Sequence, residues 1–93
     1  MTQSYAYSFH MIGHVQGVGM RFTLKRWARK LRVSGTVQNN PDGSVSGLIQ
    51  GAKDSLETFQ KWLKERAPGR IDQISMSPIQ VDDGMTKFQI LHG

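Results

Sequence analysis

The sequence predicts an α+β fold with the element order βαββαβ: a mainly antiparallel sheet with two helices on one face. Three observations predict it. Residues 5–12 alternate in the manner of a half-buried strand. Residues 24–31 and 56–63 carry apolar side chains at helical spacing. Between these two stretches, an Asn40-Pro41-Asp42-Gly43 turn separates two segments of strand character. With 93 residues, 38% of them hydrophobic and 20% charged, the chain is expected to form one domain, 1–93, because a second would have no room for its own core.

Each element has its own signal. Tyr5, Tyr7, Phe9 and Met11 alternate with Ala6, Ser8 and His10, which marks the first strand from Tyr5 to Ile12. It runs into GHVQGVG, where three glycines in seven residues hold neither a helix nor a strand interior, so a loop follows. Leu24, Trp27, Ala28 and Leu31 then fall at i, i+3, i+4 and i+7 with Lys and Arg between them, an amphipathic helix from Arg21 to Arg32. Val33 to Asn39, with Thr36 and Val37, and SVSGLIQG, with Val45 and Ile49 on one face, form a hairpin turned at Asn40 to Gly43. Asp54 and Glu57 have the spacing of a capping box ahead of Leu56, Phe59, Trp62 and Leu63, a second helix that stops before Pro68 and Gly69. Ile71, Ile74 and Met76 mark a fourth strand, and Lys87 to Leu91 leaves room for a short fifth. Right-handed βαβ units make strands one and two parallel with another strand between them, so the glycine loop and the Asn39 end of strand two should be neighbours.

The chain has no Cys, which removes disulfides, thiolate nucleophiles and Cys-ligated metal. It shows neither a membrane-length apolar run nor a secretion signal, and the expected location is the cytoplasm. The formal net charge is +5, and residues 1–41 hold Arg21, Lys25, Arg26, Arg29, Lys30 and Arg32 without one acid. Any anion site therefore belongs in the first half; a solvated basic helix face is the other reading of the same charges. His10 and His92 are too scattered for a metal site, and Trp27 and Trp62 sit on the apolar stripes as core residues.

The loop admits two readings. It is a tight strand-to-helix connection, or it is a nest of backbone amides at a helix start, with Arg21 adding a fork of donors matched to phosphate. GxxxxGK[ST] fails for want of its Lys and Ser/Thr, and GxGxxG fails because Phe22 stands at the third Gly, so a nucleotide signature is excluded at this loop.

GHVQGVGMR at 13–21, followed by VQNNPDGSV at 37–45, resembles the acylphosphatase signature, and the resemblance runs from the first strand to Phe88-x-Ile90. It implies a ferredoxin-like fold and a small enzyme, independent of metal and cofactor, that hydrolyses small acyl phosphates to a carboxylate and inorganic phosphate. By motif position it implies Arg21 and Asn39 as catalytic residues. The phosphate cradle would be the main chain of His14, Val15, Gln16, Gly17, Val18, Gly19 and Met20. The sequence departs from the family pattern at His14, where Arg or Lys is usual, and at Met20, where Phe is commoner. At Thr36 it lacks a frequent aromatic, which implies looser packing near Asn39. The implied partners are the acyl phosphate and the product phosphate, acting on a monomer with no specific nucleic acid and no membrane.

The residues agree with that chemistry. No Cys, carboxylate pair or His cluster accompanies Arg21, so a phosphoenzyme or metal hydroxide lacks its parts, and binding and orientation remain. Such a site suffices for a carboxylate leaving group, whose conjugate acid has a pKa of about 4. The alternatives are a non-catalytic phosphate-binding module and an RNA-binding module of the same element order. Against the latter, SVSGLIQG has no aromatic on which a base could stack, and the helix charges would give only salt-sensitive, nonspecific binding.

Overall fold

The alternation of the first strand becomes β1 (Ser4–His14), in which Phe9 and Met11 are buried and Tyr7 packs against the same core. This computed structural model describes residues 3–92; Met1, Thr2 and Gly93 of the expected 1–93 unit lie outside the described residues. The chain continues through α1 (Met20–Leu31), β2 (Ser34–Asn39), β3 (Val45–Ala52), α2 (Lys53–Arg66), β4 (Arg70–Ile79) and β5 (Phe88–Leu91). The strands lie in the order β4-β1-β3-β2-β5. Every pairing is antiparallel except that of β2 with β5, so the sheet is mixed and mainly antiparallel, and the short fifth strand is present. This is the ferredoxin-like α+β arrangement the sequence predicts.

Both helices cover one face. Val37, Val45 and Ile49 of the sheet are fully buried beneath Leu24 and Ala28 of α1 and Leu56 and Phe59 of α2. Trp27 sets its edge against Phe59 at 6.0 Å and against Trp62 at 5.7 Å, contacts that each add about 0.5–1.5 kcal/mol beyond area burial. Trp27 is a core residue, as its place on the stripe implies, while Trp62 is partly buried and packs against the core.

Two local expectations are corrected. Asp54 and Glu57 form no capping box, because β3 stays paired as far as Ala52, opposite Ser4, and the chain turns directly into α2 at Lys53. Ala52 becomes the N-cap, without a side-chain cap bond. Asp54 falls inside the first turn, where its charge meets the positive helix end, and Glu57 faces Lys53 at 4.0 Å. The first helix ends at Leu31 rather than Arg32. Arg32 adopts a left-handed conformation (φ 57°) and donates its N–H to the Ala28 carbonyl, so Val33 closes the core and β2 begins at Ser34.

The sheet's other face is open except where the β4–β5 connection crosses it. β4 and β5 are opposite edges, so the chain between them passes the three inner strands. Buried Gln50 on central β3 pins that crossing: its Nε2 donates to the Asp82 carbonyl at 2.8 Å, and its Oε1 accepts from the Asp82 N–H at 2.8 Å. What matters for function is the other end of β3. β1 and β2 both run antiparallel to it, so they finish at the same end of the sheet, where α1 begins.

Candidate active site at the glycine loop

The link between β1 and α1 is short, and glycine shapes it. Gly17 (φ 73°) and Gly19 (φ 81°) both take left-handed conformations, yet a Cβ on either would meet nothing within 4 Å. Glycine is therefore required by backbone angle, not by crowding. Gly19 is also the N-cap of α1, so no side chain caps the helix, and no acid stands in its first turn. The opening N–H groups of α1 are left for an outside acceptor, at the positive end of the helix. Buried Val15 anchors the loop below, and Val18 lies against the turn before β4, where a Cβ on Gly69 would come within 2.9 Å of it.

Beside this helix start lies a cavity of about 140 Å³ lined by Val15, Gly17, Gly19, Met20, Arg21, Phe22 and Asn39. Arg21 reaches it from the first turn of α1. Asn39 reaches it from the last position of β2, on the helix-covered face shared with fully buried Val37. The tertiary fold thus brings Arg21 and Asn39 together with Val15, Gly17, Gly19 and Met20. His14 is exposed at the end of β1 and does not line the cavity; neither do Gln16 and Val18. Thr36 is one step out of phase with Val37 and Asn39, on the sheet's open face. The missing aromatic would lie on that face, away from the residues that line the cavity.

Gln16 has a different task. Its Nε2 donates to the carbonyls of Asn40 (2.8 Å) and Ser44 (2.9 Å), tying the glycine loop to the hairpin that follows Asn39. The hairpin is itself braced. Asn40 Nδ2 donates to Ser44 Oγ and Ser46 Oγ at 2.9 and 3.0 Å, and Gln38 Nε2 donates to Asn40 Oδ1 at 3.1 Å. The Asp42 carboxylate accepts from the Ser44 hydroxyl and the Ser44 N–H, which holds it below the usual carboxylate range. Asn39 is therefore fixed from both sides, by β2 before it and the turn after it.

The sequence reading missed two features. The partners of the Gln16 amide lie 24 and 28 positions away and leave no local signal. Phe22, 69% exposed at the cavity rim, does have one: it is an aromatic outside the apolar stripe of its own helix. Chemically, the lining offers backbone amides, one guanidinium and one carboxamide, and no carboxylate or imidazole. Among the described residues no three His, Asp or Glu side chains are grouped to hold a metal ion. Such a set can hold a tetrahedral anion and place a neutral hydrogen-bonding group beside it. The open face of β3 presents Ser46, Leu48 and Gln50, again without an aromatic for a base.

Known proteins resemble this chain in sequence and fold. The family profile Acylphosphatase matches residues 7–90. An acylphosphatase of Lactobacillus gasseri is 39% identical over 82 residues, 86% of this chain and 90% of its own. The crystal structure of acylphosphatase from Bacillus subtilis superposes with a TM-score of 0.87 at 30% identity, covering 95% of this chain and 99% of that one. Full-length HypF, solved in a phosphate- and nucleotide-bound form, matches with a TM-score of 0.91 at 30% identity over 99% of this chain, which corresponds to 12% of HypF. With a profile spanning residues 7–90 and relatives aligned over most of both chains, the chain belongs to the acylphosphatase family.

Proposed function

We propose that this acylphosphatase cleaves the carboxyl–phosphate anhydride bond of small acyl phosphates by in-line attack of water, with Arg21 and Asn39 as its catalytic residues and the 14–20 main chain as phosphate cradle. One observation carries the reading: Arg21 and Asn39, far apart in the chain, line one cavity at the uncapped start of α1. At about 140 Å³ it is well below the roughly 300–1,000 Å³ of sites that enclose a whole small molecule. It takes the phosphoryl group, and the acyl part lies at the rim beside Phe22.

Loop amides and the Arg21 guanidinium hold the equatorial phosphoryl oxygens, and their charge is stabilised further as the transition state loosens. The Asn39 carboxamide orients a water opposite the leaving oxygen. The water oxygen bonds to phosphorus, the bond from phosphorus to the acyl oxygen breaks, and its electron pair leaves with the carboxylate. The water's proton passes to a phosphate oxygen, since no lining side chain is a base. No metal takes part. The 1–93 unit works as a single domain, a cytoplasmic monomer acting on free substrate, without a membrane or a specific nucleic acid. Among the described residues no helix is long and apolar enough to cross a membrane.

The direct test is phosphate release from acetyl phosphate by the purified protein in a chelator, with glycerol phosphate alongside. The first should be hydrolysed at an unchanged rate and the second left nearly untouched, since an alkoxide leaves far less readily than a carboxylate. A rate lost to chelator and restored by a divalent ion would refute the metal-free mechanism.

The Gln16 clamp gives a second expectation. Gln16→Ala frees the loop from the Asn39 hairpin, and a displacement on the scale of 1 Å is worth as much as a hundredfold in rate. kcat should fall by roughly tenfold to a hundredfold, while KM changes little because the cradle amides and Arg21 remain. Steady-state kinetics on the folded variant decide it, and an unchanged kcat means that the clamp does not position Asn39.

A further inference from the structure

A second basic site lies away from the catalytic cavity. A groove of about 590 Å³ runs between the C-terminal half of α1 and the edge strand β5, with Phe88 in its floor. Its walls carry Lys25 and Arg29 of α1, Arg32 at the helix end and Lys87 just before β5; Ser34 and Thr86 add hydroxyls, and no acid lines it. The ion pairs among the described residues are Lys53–Glu57 and Arg70–Asp72, and neither involves any of these four cations. Helix electrostatics accounts for cations in the last turn of α1, where Arg29 stands. It does not account for Lys25 in the middle of that helix, nor for Lys87, which comes from a distant segment and lines the same groove. Four like charges around one concavity repel each other, and an anion between them removes that cost.

We propose that this groove binds a run of linked phosphates, either an inorganic oligophosphate or the phosphate chain of a nucleotide. A single phosphate would fill only a small part of a groove of this size, which lies within the range of small-molecule sites. The two arginines supply forks that grip phosphate oxygens in pairs, and the two lysines supply point charges. The site is separate from the catalytic one, because the two cavities share no lining residue, although Lys25 stands only one helical turn from Arg21.

The experiment titrates inorganic tripolyphosphate, ATP and AMP, by calorimetry, into Arg21→Ala protein, whose catalytic cavity lacks its guanidinium. Two double charge reversals are compared on that background. One is Arg29→Glu with Lys87→Glu, inside the groove. The other is Arg26→Glu with Lys30→Glu, exposed on the same helix, outside the groove and equal in net charge. Circular dichroism and melting midpoints confirm that both fold. The groove pair should weaken tripolyphosphate binding by about tenfold or more, the scale of losing charge-assisted hydrogen bonds, and the control pair by less than about threefold. ATP binding more tightly than tripolyphosphate makes a nucleotide the source; the reverse makes it the inorganic chain. Equal losses in the two pairs, no binding of either ligand, or AMP binding as tightly as ATP would overturn the site.

Discussion

Asn39→Ala is expected to lower kcat for acyl phosphate hydrolysis by roughly a hundredfold or more, the scale for removing one positioned hydrogen-bonding group, with inorganic phosphate bound nearly as tightly as before. The asymmetry follows from where Asn39 comes from. It reaches the cavity from the end of β2, while the amides and the guanidinium that grip phosphate come from the loop and α1, which the substitution leaves intact. Asn39 is half-buried at the strand end, so trimming it removes little packing, and the hairpin stays braced by Asn40, Ser44 and Gln16. Single-turnover kinetics with product inhibition by phosphate separate the two effects. A folded Asn39→Ala protein with near-normal kcat would remove the water-positioning role.

The second large effect concerns the pocket without chemistry. Phosphate bound to the native cavity and not to the unfolded chain should add about 2.7 kcal/mol of unfolding free energy at a hundred times its dissociation constant. At about 4–8 °C per kcal/mol for a domain of this size, the melting midpoint should rise by roughly 10 °C or more. Phosphate also stabilises proteins as an excluded salt, in a manner linear in concentration. Arg21→Ala at matched ionic strength isolates the specific part: the wild-type shift should saturate, while the variant keeps only the linear rise. Arg21→Lys should behave as the alanine variant, because a single ammonium does not present two parallel donors to two phosphate oxygens. Indistinguishable shifts in wild type and Arg21→Ala would leave the glycine loop without a phosphate site.

The sequence by itself determined the elements and their order, because the signals that carry them are local. A period of two turns Phe9 and Met11 to one side of a strand. A period of 3.6 does the same for Leu24, Trp27 and Ala28 on a helix, and each reading survives whatever the element packs against. It also determined that Asn39 and the glycine loop would be neighbours, because the handedness of βαβ connections leaves few topologies. Tertiary structure alone decided the rest. The capping box at Asp54 failed because a strand pairing with Ser4 carried β3 to Ala52, a competition that no local window contains. Gln16 became a brace because its amide met carbonyls 24 and 28 positions away, and a long polar side chain takes whichever distant partners the fold presents. Lys87 joined Arg29 and Arg32 around one groove for the same reason: β5 pairs in parallel with β2 beside α1. Periodicity is written along the chain, whereas the meeting of side chains from separate elements is set by the way those elements pack.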